Sequence, residues 1–271
     1  MSAAIRAEVR KLLTTRLWWV LALSLALGVI FMVAVIVFSF AFAEELGATG
    51  ADQPDASGMD PEMLATMVYS LPVSFGYVFP AVLGALSLTS EYRHRTIDTT
   101  LLMDPRRGRL IAAKLIAIVP FGLLYGVLAM SAGVVVGGAG LALTDSATFL
   151  TSASMWGSIA MGVVALAVWA VVGVGLGAAI PNQVMVIVLL VGWTQLAEPI
   201  LRLALGLIEP LQGVAAYLPG AAGDAMVGAS FYSAMEAGNL LAPWAGFAVL
   251  LAYGLIAGVI GWLRMTRRDV G

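Results

Sequence analysis

SEYRHRTIDTTLLMDPRRGRLIAAK occupies residues 90–114 and carries nine charged side chains: Glu91, Arg93, Arg95, Asp98, Asp104, Arg106, Arg107, Arg109 and Lys114. No Asp, Glu, Lys or Arg occurs from Met63 to Ser90, or from Leu115 to Thr144. A charge at the centre of a bilayer costs about 2.5–3.5 kcal/mol on the insertion scale. Nine such charges must therefore sit in water, while the uncharged runs on either side suit lipid. The whole chain has the same character. Of its 271 residues 61% are hydrophobic and 11% charged, against roughly half and a quarter in soluble domains. Too little polar surface exists to cover a globule in water.

Working outward, six apolar runs are long enough to span a bilayer, at roughly 20 residues each. They lie at about 17–43, 64–89, 110–143, 157–180, 184–208 and 241–263. They form one transmembrane domain over residues 1–271. The first run, after Arg6, Arg10, Lys11 and Arg16, imitates a secretory signal, and Ala41-Phe42-Ala43 offers a cleavage-like site. A signal core is only about 7–15 residues, so this longer run reads as a span. Pro72 and Pro80 should kink the second. Lys114 is expected to snorkel at the start of the third, and GGAG at 137–140 to bend its far end.

The charges then sort by side. With the N-terminus, 91–114, 181–183 and the tail on one face, that face holds 13 of the 14 Lys and Arg residues. The opposite face holds ten acids and no base: Glu44, Glu45, Asp52, Asp55, Asp60, Glu62, Asp145, Glu209, Asp224 and Glu236. Cytoplasmic loops carry the Lys/Arg excess. The expectation is an all-α integral membrane protein with six transmembrane helices and both termini cytoplasmic.

Several chemistries are excluded. The chain has no cysteine and one histidine, His94, so disulfides, thiolate metal sites and multi-histidine sites are impossible. A P-loop needs a lysine after glycine to reach phosphates; Lys11 and Lys114, the two lysines, follow Arg10 and Ala113. VGVGLGAA at 172–179 contains G-x-G-x-x-A inside an apolar span, where close helix packing is its meaning. No paired carboxylates fall within one span, and nothing marks an enzyme.

Residues 90–114 admit two readings. One is a solvated loop obeying the charge rule. The other is a docking element. Thr96–Leu102 can form a short helix with Ile97, Leu101 and Leu102 on one side, and Asp104-Pro105 resembles an N-cap followed by proline at N1. The stretch resembles the segment after the second span in permease subunits of ABC-2-type transporters. The pattern there is roughly Ser-Glu-x-Arg-x-Gly-Thr, then Leu-Leu, Pro, a basic cluster and Lys. Ser90, Glu91, Arg93, Thr96, Leu101, Leu102, Pro105, Arg107 and Lys114 fit it. Arg95 stands where the family has Gly. The layout of six spans with a long final outer loop extends the resemblance along the chain.

The resemblance implies a cytoplasmic coupling helix between spans two and three that inserts into a separate ATP-binding-cassette ATPase. Its residues would be Glu91, Arg93, Thr96, Asp98, Thr99, Leu101 and Leu102, with a smaller contact at Pro181, Asn182 and Gln183. It also implies a second permease copy, identical or a paralogue, with ATP and Mg on the partner and no cofactor on this chain. Nucleic acid is not among the expected partners. The setting would be a bacterial plasma (inner) membrane and the direction outward. At the N-terminus, Ile5, Val9, Leu12 and Leu13 alternate with Arg6, Arg10 and Lys11 as in an amphipathic interfacial helix over residues 1–16, with Trp18 and Trp19 at headgroup level.

Glu198 and Arg202 share a helix face in span five. They read either as an ion pair near its outer end or as a lining of the translocation path. The apolar spans suit a hydrophobic or amphipathic cargo. Two other functions remain open at this point. A membrane regulatory or binding protein would bind no ATPase. An ion-coupled carrier would show inverted repeats and midplane charges; only Glu198 and Arg202 are candidates, and no repeat is visible.

Overall fold

A computed structural model describes residues 1–45, 60–103, 106–208, 211–230 and 240–267. The expected turn Asp104-Pro105 and most of the acidic loop after the first span lie outside these residues. The described chain is helical, with no strand among the described residues. Its helices are α1 (Ser2–Thr14), α2 (Leu17–Glu45), α3 (Pro61–Gly76), α4 (Val78–Arg93), α5 (Ile97–Met103) and α6 (Arg107–Leu143). There follow α7 (Ala153–Ala179), α8 (Gln183–Gly192), a π-turn (Trp193–Ala197), α9 (Glu198–Gly206), α10 (Gln212–Ala215), α11 (Pro219–Val227) and α12 (Pro243–Arg267). Six stretches are long and apolar enough to cross a membrane: Leu17–Ser39, Pro61–Arg93, Arg107–Leu143, Ala153–Ala179, Gln183–Gly206 and Pro243–Arg267.

Helix α7 is the hub, packed against α4, α6 and α12. Small residues allow the approach. A methyl group at Gly173 would fall onto the carbonyl of Ala81 in α4, and one at Gly177 would lie 2.5 Å from the Ala85 carbonyl. On the α12 side, Gly175 meets the backbone of Gly254. On the α6 side, Cβ at Gly122 would stand 2.7 Å from Cα of Ala167. Without a hydrophobic drive between helices in lipid, such backbone contact supplies the attraction. Helix α6 runs through the GGAG stretch to Leu143. Gly137 receives Val68, and Gly140 receives Val37.

Two spans are interrupted, both at prolines. Pro80 has no N–H to give the carbonyl of Gly76, and the second span turns at Tyr77 between α3 and α4. Pro199 likewise cannot donate to Gln195, and the fifth span passes through its π-turn there. Within it the Glu198 N–H bonds the Trp193 carbonyl, five residues back. That leaves the Thr194 carbonyl without its α-helical donor. The Tyr77 hydroxyl donates to it at 2.9 Å. A residue at one break thus satisfies the carbonyl freed at the other, and Tyr77 stacks on Trp169 of α7 with centroids 4.4 Å apart.

One end of the bundle gathers the basic residues. There Arg264 donates to the Ala179 carbonyl at 2.6 Å, Arg107 donates to the Met265 carbonyl, and α1 meets the start of α6 through Lys114 and Glu8. Both ends of the described chain therefore lie at this basic end. Across the bundle, the Tyr69 hydroxyl donates to the Thr148 carbonyl at 3.0 Å.

Gly173→Ala should lower the thermal unfolding midpoint in detergent, since overpacking costs about 1–3 kcal/mol. Gly157→Ala, where no atom lies within 4 Å of the new methyl, should leave the midpoint unchanged.

Candidate functional site

The charged segment begins where α4 stops. His94 is the C-cap, and Arg95 has φ of 55°, in the left-handed region. The Thr96 N–H bonds the Glu91 carbonyl at 2.9 Å and the Arg95 N–H bonds the Tyr92 carbonyl at 3.3 Å. This pair of bonds is a Schellman motif, whose left-handed position favours glycine. The departure at Arg95 therefore falls at the position that strains a side chain, at about 1–2 kcal/mol. The turn forms nonetheless and throws α5 out from the bundle.

Helix α5 is pinned by Ile97, which packs with Leu88, Leu110, Ile111, Ala178 and Met265, and by the half-buried Leu101. Leu102 does not share their side. It is 84% exposed, beside exposed Asp98 and Thr99. Arg93, His94, Arg95 and Thr96 are exposed as well. The second expected contact lies alongside: the Gln183 amide oxygen is 3.5 Å from an Arg93 nitrogen. Asn182 caps α8 by accepting from the Met185 N–H at 3.1 Å, and Pro181 is half-buried before it.

Glu91 belongs to a different environment. It is buried, and its Oε1 accepts from Lys11 at 2.8 Å and from Lys114 at 2.7 Å. Glu8 of α1 joins them, 2.7 Å from Lys11 and 2.5 Å from Lys114. Lys114 does not snorkel: it is 1% exposed, and its third donor takes the Ser87 carbonyl at 2.8 Å. Burial alone would push the Lys11 ammonium down. The hydrogen bonds and charges of Glu8 and Glu91 outweigh it, so its pKa lies above the ordinary lysine value. The apolar stripe of α1 also faces inward, with Leu12 and Val9 packed into the main core. Glu8 falls on that stripe, one turn from Ile5 and from Leu12. A lone acid on an apolar helix face was the available signal for this network.

A second buried network lies beyond the π-turn. Arg202 makes the expected pair with Glu198 at 2.8 Å, and reaches Asp224 of α11 at 2.6 Å. Sequence reading placed Asp224 among the outer-face acids; it is 1% exposed. Oε1 of Glu198 also accepts the Gly220 and Ala221 N–H groups at 2.6 and 3.0 Å, while Oε2 takes the Trp193 indole at 3.0 Å. Asp224 further accepts from Ser74 and Ser230, each at 2.8 Å. The three side chains sum to one negative charge, which the amino end of α11 offsets. The network thus ties α3, α9 and α11 together, and seats the 211–230 segment against the spans.

Beside the Tyr77 break lies a cavity of about 240 Å³ between α2, the α3–α4 junction and the π-turn. Gly28, Phe31, Met32, Phe75, Phe79 and Gln195 line it. It is apolar except for the Gln195 amide. Among the described residues no cluster of acids or histidine could hold a metal ion.

Comparison with known proteins agrees with this architecture. Residues 4–192 match the sequence profile of the ABC-2 family transporter proteins. The chain belongs to that family, and is a multi-pass membrane permease of the ABC transporter class. No curated protein matches it.

Arg95→Gly should relieve the left-handed position and slow amide exchange over residues 94–101 several-fold, the loss of about 1 kcal/mol of strain. Faster exchange would show that Arg95 contributes a contact outweighing the strain. In the second network, Arg202→Met leaves two buried carboxylates uncompensated and should destabilise the protein by about 3–5 kcal/mol. Asp224→Asn keeps the Arg202–Glu198 pair and should cost less in the same thermal unfolding assay.

Proposed function

We propose that this chain is the membrane-spanning half of an ATP-driven exporter, worked by an ATP-binding-cassette ATPase on a separate chain. The observation that carries this reading is α5. A seven-residue helix stands clear of the bundle on a Schellman turn, anchored by Ile97 and presenting Leu102, Asp98 and Thr99 to whatever covers it. Arg93 beside Gln183 joins the 181–183 turn to the same surface. An apolar knob within a charged rim is the form of a protein contact. The docking residues are then Arg93, Thr96, Asp98, Thr99 and Leu102 on the surface, Leu101 beneath, and Pro181, Asn182 and Gln183 alongside. Glu91 serves from inside. ATP and Mg would be bound by the ATPase.

The basic end of the bundle faces the cytoplasm by the charge rule, which puts both termini inside. With its apolar stripe on α6 and the core, α1 turns Arg6 and Arg10 outward, where they meet anionic headgroups of a bacterial inner membrane. Two permease copies pair to offer two docking sites to an ATPase dimer. The apolar cavity at the Tyr77 break supports a hydrophobic or amphipathic cargo that makes one polar contact with Gln195. Glu198 and Arg202 hold the outer end of the path closed through Asp224, as a seal rather than a lining.

The test is affinity purification of the tagged chain from its own membranes in mild detergent. A stoichiometric partner with a P-loop is expected, and Leu102→Asp should reduce its recovery at least tenfold while the chain itself still inserts. A chain that emerges alone with an ATP analogue present would overturn the reading.

A further inference from the structure

Glu91 lies two residues before the exposed segment, yet its carboxylate turns inward. It meets two ammonium groups from distant parts of the chain: Lys11 on α1 and Lys114 on α6. Glu8 closes the ring by accepting from the same two lysines. The four charges sum to zero. Lys114 adds the Ser87 carbonyl, one turn earlier on α4. Three helices thus share one ionic quartet, buried except for Lys11, at the point where the coupling segment departs. The Lys11–Glu91 bond joins α1 to α4 across eighty residues of chain.

Apolar side chains of the same volume would bind these helices at least as stably, whereas a buried ionic ring fixes one arrangement. The ring is also not saturated. Oε2 of Glu91 is buried without a hydrogen-bond partner among the described residues, while Lys11 is half exposed, with its side chain 46% accessible.

We propose that the Glu8–Lys11–Glu91–Lys114 ring is a joint that makes α1, the end of α4 and the start of α6 move as one body, with Glu91 as a positioning residue that passes displacement of α5 to both. This rests on the docking reading for the source of the force, but the joint itself belongs to this chain alone. The ring adds to the packing of α1 on α6 a direct polar tie between α1 and the end of α4, from which α5 departs.

The chain lacks cysteine, so spin labels can be placed at will on the full protein in lipid nanodiscs. Ala3→Cys on α1 and Thr99→Cys on α5 are exposed positions, and pulsed electron paramagnetic resonance reads the distance between them. A narrow distribution is expected for the native ring. Glu91→Gln and Lys114→Met should each broaden it at least twofold. A control pair, Ala153→Cys and Ala242→Cys at the opposite end, must keep its native distribution. If Lys114→Met disturbs that pair, the isosteric Glu91→Gln decides alone. A native α1–α5 distribution in Glu91→Gln, with the control pair intact, overturns the joint.

With the ATPase bound and trapped by ATP and vanadate, α1 and α5 should shift together relative to α7 in the native protein. In Glu91→Gln, α5 should shift without α1. A purely structural role would not separate the two. Failure of any ATPase to bind sinks the docking reading and leaves the nanodisc measurement to judge the ring.

Discussion

Hydrocarbon returns no hydrogen bond to a group that has lost one, so every polar atom taken into the membrane must find its partner inside the protein. That constraint organises this molecule. The carbonyl freed at Thr194 takes the hydroxyl of Tyr77 from another broken span. Glu198 accepts five donors, from Trp193, Arg202 and the amino end of α11. Asp224 accepts three. Glu198, Arg202 and Asp224 form one connected set that ties α11 to α3 and α9.

The spans obey a second rule, set by shape. α7 lies at the centre because its small residues admit neighbours to backbone distance on three sides. The first, fifth and sixth spans keep much of their surface outside. On α2 the buried positions Ala22, Leu25, Val29, Val33 and Val37 form one stripe, while Leu23, Leu27, Phe31, Val35 and Phe38 face out. The core therefore joins the second, third and fourth spans, and the peripheral helices carry the surfaces offered to lipid or to another chain.

The number and kind of spans were legible because hydrophobicity over twenty residues is a strong signal, and the charge island at 90–114 could lie nowhere but outside lipid. The Glu198–Arg202 pair was legible from its four-residue spacing. Its third member was not: Asp224 stands among glycines and alanines 22 residues on, and only the return of α11 into the bundle brings it there. Lys114 was misread because snorkelling is the general habit of a lysine near a helix end, and here two carboxylates hold it inside. Leu102 was misplaced with Ile97 and Leu101 because a seven-residue helix leaves about 100° per residue to decide sides, and the anchor residues took the inner one. The turn at Arg95 lacks the glycine of the family pattern; its two backbone bonds form all the same.

The π-turn has a geometric consequence along the fifth span. The residues buried there are Val186, Leu190, Thr194, Glu198 and Arg202, one in every four. In a regular α-helix each step of four overshoots a full turn by about 40°. Over four steps such a stripe would wind by about 160° and end facing away from where it began. A π-bulge adds one residue to the helix and takes back about 100° of that drift. The wider turn thus acts as a phase correction. It lets aliphatic contacts on the near half of the span and an ion network on the far half look into the same protein interior, leaving the remaining sides of the helix apolar save for Gln195.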